Sequence, residues 1–134
     1  MIARAVLAVA AVLAIAWFAV TWHDAHRIAH AMAATTAPHP SRALLESGLA
    51  AARSAGALNP DRTTGLTYEV TLDVKLGRYQ PALAAVKRLV ALEPENAESW
   101  AFLSGFSAQR DPALAARALA QVRRLDPRFR ASGP

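Results

Sequence analysis

The stretch Leu76–Pro94, LGRYQPALAAVKRLVALEP, decides how the chain folds. Gly77 marks a tight turn, and Gln80 to Leu92 reads as an amphipathic helix that Pro94 closes, since proline has no amide hydrogen to donate and restricts the residue before it. Leu83, Val86, Leu89, Val90 and Leu92 recur mainly at three- and four-residue intervals, which places most of them on one helical face. Pro81 lies in the first turn, where a missing N–H does no harm, and Lys87 and Arg88 take the polar side with a solvated face as their default role. Such a stripe needs another helix against it.

The chain contains related endings on either side. LNP at 58–60, LEP at 92–94 and LDP at 125–127 put prolines at 60, 94 and 127, a spacing of roughly 34 residues, the period of a two-helix repeat. With these residues the chain resembles the tetratricopeptide repeat family. In the best unit, 97–127, Trp100 and Leu103 fall on the family's packing positions of the first helix, and Ala115, Leu119 and Val122 on those of the second. That unit departs from the pattern at Ser104, where glycine is usual, at Ser107, where a large aromatic is usual, and by one missing residue around Arg110-Asp111-Pro112. The preceding unit matches from Leu76 through Gly77, Tyr79, Ala82, Val86 and Leu89 to Pro94, but Glu69 and Asp73 occupy positions of its first helix that the family fills with apolar residues. Residues 41–60 look like only the second helix of a unit, with Gly48 in place of the usual alanine. The resemblance covers 41–127 and implies a scaffold, not a chemistry.

Composition agrees with helices. Alanine, leucine and arginine dominate, and aromatic residues make up only 7%, too few for a sheet core of ordinary composition. Cysteine is absent, which excludes disulfide and thiolate chemistry, and the net charge of +5 comes mostly from arginine.

From Ala5 to Trp22, AVLAVAAVLAIAWFAVTW carries no charge, giving about 27 Å of helix, close to the hydrocarbon thickness of a bilayer. Trp17 and Trp22 stand toward its far end, where indoles favour the membrane interface. A cleaved signal peptide is the competing reading, because Ala31, Ala33 and Ala34 offer small residues for processing. The apolar run is longer than an ordinary signal core and ends well before those alanines, so a retained single-pass anchor is expected. Arg4 and the amino group precede the run while Asp24 and Arg27 nearly cancel after it, which predicts a cytoplasmic amino terminus and an extracytoplasmic repeat domain in an inner or plasma membrane. Neither proline nor glycine interrupts 23–35, so the anchor is expected to continue as one rod through residue 35. TTAPHPS then predicts a short stiff joint, giving an anchor at 1–35, a linker at 36–41, a helical domain at 42–127 and a tail at 128–134. The fold class is therefore all-α: one transmembrane helix followed by about two and a half repeat-like units.

Ser41 is the expected cap of a helix over 42–58 whose Leu44, Leu45, Leu49, Ala52 and Ala55 would pack on the next helix. Asp61 is the expected cap of a helix running to Gly77. On it, Glu69 and Asp73 are like charges four residues apart, expected to be solvent-exposed or, if enclosed, neutralised by arginines from adjacent helices, or else to mark an acidic spot for a basic ligand or a cation. A helix over 97–109 carries the stripe Trp100, Leu103 and Phe106, with Phe102 off that register as a candidate exposed anchor. Asp111 and Pro112 are expected to start the last helix, which presents Leu114, Ala118, Leu119, Val122 and Leu125. After Pro127 no capping helix follows, so the end is expected to be covered by Phe129, a second copy of the chain, or another protein.

No residue set is assigned to catalysis, a cofactor or a metal. His26 and His30 lie four apart with His23 and Asp24 nearby, a pattern that suits a metal less well than headgroup or partner contact. Arg123, Arg124, Arg128 and Arg130 make a basic end without an aromatic platform, so nucleic acid is not expected. The expected function is a non-catalytic, membrane-anchored interaction module that docks on a larger polytopic membrane protein. Small residues such as Ala8 and Ala11 let helices approach closely in lipid. Trp17, Trp22, His26, His30, Glu69, Asp73, Phe102, Arg123, Arg124 and Phe129 complete the expected contacts with partner or bilayer. Two alternatives stand beside it: an adaptor that captures a peptide through Glu69 and Asp73, and an accessory subunit that completes a partner's active site. The family resemblance implies assembly or recruitment roles, some of them beside envelope glycosyltransferases or cytochrome c maturation systems.

Overall fold

The computed structural model describes residues 2–55 and 62–129, and the side chains of all of these except 2–5 and 8. They form six α-helices and no strand: α1 (Ile2–Thr36), α2 (Arg42–Ser54), α3 (Thr63–Lys75), α4 (Tyr79–Leu92), α5 (Ala97–Ser107) and α6 (Pro112–Leu125). The chain divides into two compact units, Met1–Tyr68 and Glu69–Pro134, and the boundary falls inside α3.

In the first unit, α1 and α2 pack as a hairpin. Ala37 N–H still bonds to Ala33 O at 3.1 Å, and the hydroxyls of Thr35 and Thr36 donate to Met32 O at 2.7 and 3.0 Å, closing the last turn of α1. Pro38 and Pro40 forbid its continuation. Ser41 then caps α2, its Oγ accepting Leu44 N–H at 3.2 Å. Two cross-contacts fix the direction: Arg27 Nη1 donates to Ser54 O at 3.1 Å, and His30 Nε2 lies 3.1 Å from Ser47 Oγ. Residues later in α1 meet residues earlier in α2, so the helices run antiparallel.

This hairpin gives α2 a partner that the sequence did not announce. The buried face of α2 is Leu45, Gly48, Leu49 and Ala52, and the helix it packs on is the extension of the anchor rod, through the fully buried Ala31 and Ala34. Residues 37–41 are thus the loop of a hairpin that turns α2 back along α1. Helix α2 also stops at Ser54, four residues before the expected end. Ala55 is extended at φ −69°, ψ 142° and Ser54 Oγ bonds back to Ala51 O at 3.0 Å. Gly65, in the first turns of α3, reaches the end of α2 so closely that a Cβ there would sit 3.1 Å from Ala52 O. The expected cap Asp61 lies outside the described residues, as do Gly56, Asn59 and Pro60.

In the second unit, α3 stops at Lys75 through a left-handed Gly77, φ +72°. Gly77 N–H bonds to Val74 O at 2.9 Å and Arg78 N–H to Asp73 O at 2.7 Å, the paired bonds of a Schellman ending. A Cβ at Gly77 would meet nothing within 4 Å, so Gly77→Ala is strained only in its backbone and is expected to lower stability by about 1–2 kcal/mol. Thermal melting followed by the helical circular dichroism signal measures it.

Helix α4 packs on α5, and α5 on α6. The buried residues of α4 are Ala82, Leu83, Ala85, Val86, Leu89 and Val90, while Leu92, expected on that stripe, is 48% exposed because it stands in the last turn. On α5 the buried line is Ser99, Leu103 and Ser107, and the expected Trp100 and Phe106 flank it at half-burial. Small hydroxyl residues let α5 approach its neighbours closely and bond to them: Ser99 Oγ donates to Glu93 Oε2 at 2.9 Å, and Ser104 Oγ to Ala115 O at 3.0 Å. Trp100 is instead pinned by Nε1 donating to Pro94 O at 2.8 Å. Helix α5 ends at Ser107, before the expected residue 109, and Asp111 N–H folds back to Ser107 O at 2.8 Å. Asp111 caps α6 by accepting Leu114 N–H at 2.9 Å, with Pro112 following, and Ala115, Ala118 and Val122 are buried.

Candidate functional site

The feature that sets this chain apart is what α1 leaves uncovered. Val6, Leu7, Val9, Val12, Leu13, Ile15, Trp17, Phe18 and Trp22 are all exposed, spread around the whole helix. Outside α1, the exposed large apolar residues among those described are only Val74, Leu92 and Phe102, scattered singly as on most soluble surfaces. The stretch Val9–Thr36 is long and apolar enough to cross a membrane by length and composition, which suits a retained anchor or a signal sequence. Its one hydroxyl in the apolar run, Thr21 Oγ1, donates within the helix to Trp17 O at 3.1 Å and Phe18 O at 3.0 Å.

The bare stretch ends abruptly. Asp24 is buried, with Oδ1 3.9 Å from Arg27 Nη1, and Oδ2 has no hydrogen-bond partner among the described residues. Asp24, Arg27, Ala31 and Ala34 lie on one face of α1 by their spacing. Three rings, Phe18, Trp22 and His26, stack along another line of α1 with centroids 6.2 Å apart at each step. A tryptophan thus stands at the level where the apolar surface gives way to packed polar structure, as at a membrane interface.

The two histidines expected to act together have separate partners, His26 stacking on Trp22 and His30 meeting Ser47. Among the described residues no group of three metal-ligating side chains converges. Ala11 is exposed, and the side chain of Ala8 lies outside the described residues. Glu69 and Asp73 are brought together in the interior: Glu69 is buried with Oε1 2.8 Å from Arg88 Nη2, and Asp73 is fully buried. Arg88, expected to be merely solvated, is therefore an ion-pair partner.

Phe102 is 38% exposed and meets Phe106 edge-on at 6.4 Å. Sequence reasoning missed the stack continuing from there, with Tyr79 parallel to Phe106 at 5.1 Å and Arg110 Cζ 4.2 Å over the Tyr79 ring. No periodicity announces it, since Tyr79 opens one helix and Arg110 sits in a later turn. Arg123 and Arg124 are exposed on α6, and Phe129 is half-buried with its N–H bonded to Asp126 O at 3.1 Å.

Comparison of the chain with protein-family models, with curated proteins and with solved structures gives no match. What stands is an all-α chain of six described helices whose exposed apolar surface is concentrated on the first.

Proposed function

We propose that the chain is a non-catalytic, membrane-anchored interaction module, an accessory or assembly subunit that docks on a larger integral membrane protein. The observation that carries this reading is the bare apolar surface of α1 from Val6 to Trp22, ending at the buried Asp24. Retention of the anchor is supported by the seam with α2. Of Ala31, Ala33 and Ala34, the small residues a processing enzyme would need, Ala31 and Ala34 are fully buried and Ala33 is exposed, and cleavage beside them would strip α2 of its partner.

The repeat-like reading is supported by the helix pairs. The half-unit formed by α2 gains its missing first helix from the end of α1. Helices α3 and α4 are joined by the Gly77 turn and the Glu69–Arg88 pair, and α5 packs on α6 across the turn at 108–111. Each pair is joined by a short loop, as are the helix hairpins from which two-helix repeats are built. The amino terminus is assigned to the cytoplasm and the helical domain to the other side. Peptide capture through Glu69 and Asp73 is disfavoured, since a basic ligand would have to displace Arg88 to reach them.

The test is extraction in mild detergent of the whole chain and of a variant whose residues 6–22 are replaced by an unrelated apolar helix. Both are expected to stay with the membrane, and only the natural chain to hold a stoichiometric polytopic partner. Equal retention of the partner by both would place recognition in α2–α6, and a natural chain that runs alone as a monomer would overturn the reading.

A further inference from the structure

Helix α6, PALAARALAQVRRL, has no acidic residue. Its solvent face consists of Ala113, Ala116, Arg117, Ala120, Arg123 and Arg124, and Arg128 follows just beyond its end, also exposed. Arg117 and Arg124 fall along one stripe by their seven-residue spacing, with Ala113 and Ala120 as its floor. None of Arg117, Arg123, Arg124 and Arg128 forms an ion pair among the described residues. The carboxylates at the two ends of the helix are engaged with backbone, Asp111 with Leu114 N–H and Asp126 with Arg128 N–H, both at 2.9 Å. The face is therefore a row of unneutralised guanidiniums over methyl groups.

We propose that this face of α6 docks on the anionic lipid headgroups of the bilayer that holds α1. Charge complementarity carries the assignment. Guanidiniums pair with phosphate oxygens in a two-pronged fashion, and the alanine floor lets the helix come close to a flat array of them. Each basic residue near an anionic leaflet gains about 1 kcal/mol, so three or four are modest for a free protein and sufficient for a tethered one, whose local concentration is set by the anchor. Nucleic acid is the competing polyanion, and α6 lacks the aromatic side chains on which bases would stack. The proposal rests on the anchoring reading for the nearness of the bilayer.

Because the chain has no cysteine, full-length protein with Ala120→Cys takes a single spin label on this face. The label's collisions with a water-soluble nickel reagent are measured in nanodiscs. They are expected to fall about threefold when roughly a third of the phosphatidylcholine is replaced by phosphatidylglycerol, and to recover at about 0.5 M salt. Arg117→Gln with Arg124→Gln removes the fall. A Leu13→Cys label in the same discs tests the anchor separately, through high collision with oxygen and low collision with nickel. If Leu13 is in lipid and Ala120 is equally accessible in both bilayers, docking fails and the anchor stands; if Leu13 is in water, both fail. Protection of Ala120 by duplex oligonucleotide and not by phosphatidylglycerol also overturns the proposal.

Discussion

Val9→Arg combined with Leu13→Arg is expected to abolish membrane association while leaving the helical domain folded. The two residues lie one turn apart, 59% and 65% exposed, on the part of α1 that precedes its first buried residue described, Asp24. Neither substitution opens a cavity, so the melting of the helical signal in mild detergent is expected to stay within about 0.5 kcal/mol of the natural chain. In lipid the cost is different in kind. Each arginine near the middle of a spanning helix costs about 2.5–3.5 kcal/mol of insertion free energy, and the pair about 6, or roughly ten-thousandfold in the partition equilibrium. The fraction resisting alkaline carbonate should collapse accordingly. If α1 were instead the core helix of a water-soluble assembly, the same pair would lower the melting temperature and leave partitioning unchanged, which would sink the anchor reading.

The sequence made some of this legible and hid the rest for identifiable reasons. Helix starts at Ser41 and Asp111 and the stop at Gly77 were readable, because a cap is a local transaction between a side chain and the nearest amides. The continuous rod was readable too, from the lack of any proline or glycine before Pro38. The seam between α1 and α2 was not, because its α1 side offers only the small Ala31 and Ala34 to the buried face of α2. Small residues packing by close approach leave no stripe of large side chains to find, and alanines are everywhere in this chain. The same bias misplaced the buried line of α5 on Trp100 and Phe106, when Ser99 and Ser107 hold it. For the candidate site, the apolar stretch was fully visible as composition, but its sharp end at Asp24 depends on which residues α2 covers. The basic face of α6 needed the structure, since only burial shows that its arginines share a side with alanines.

Arg88→Leu is expected to destabilise the helical domain by about 2–3 kcal/mol. Glu69 is only 5% exposed, and its Oε1 lies 2.8 Å from the Arg88 guanidinium; Asp73, one turn along α3, is fully buried. Removing the arginine leaves two interior carboxylates on one helical face with that neutralising charge gone. A wholly buried pair broken this way costs about 3–5 kcal/mol, but the Arg88 side chain is 56% exposed, so water screens part of the interaction and the lower figure applies. The double variant Glu69→Leu with Arg88→Leu should regain most of the loss, because a packed apolar pair needs no desolvation of charge. A double-mutant cycle completed with Glu69→Leu gives the coupling directly. Coupling below about 0.5 kcal/mol would reduce the pair to an ordinary surface bridge. A larger value, with the double variant as stable as the natural chain, would mean that charge at this point adds no net stability. Its role would then be to select one register of α3 against α4, a buried ionic contact being satisfied in only one alignment of the two helices.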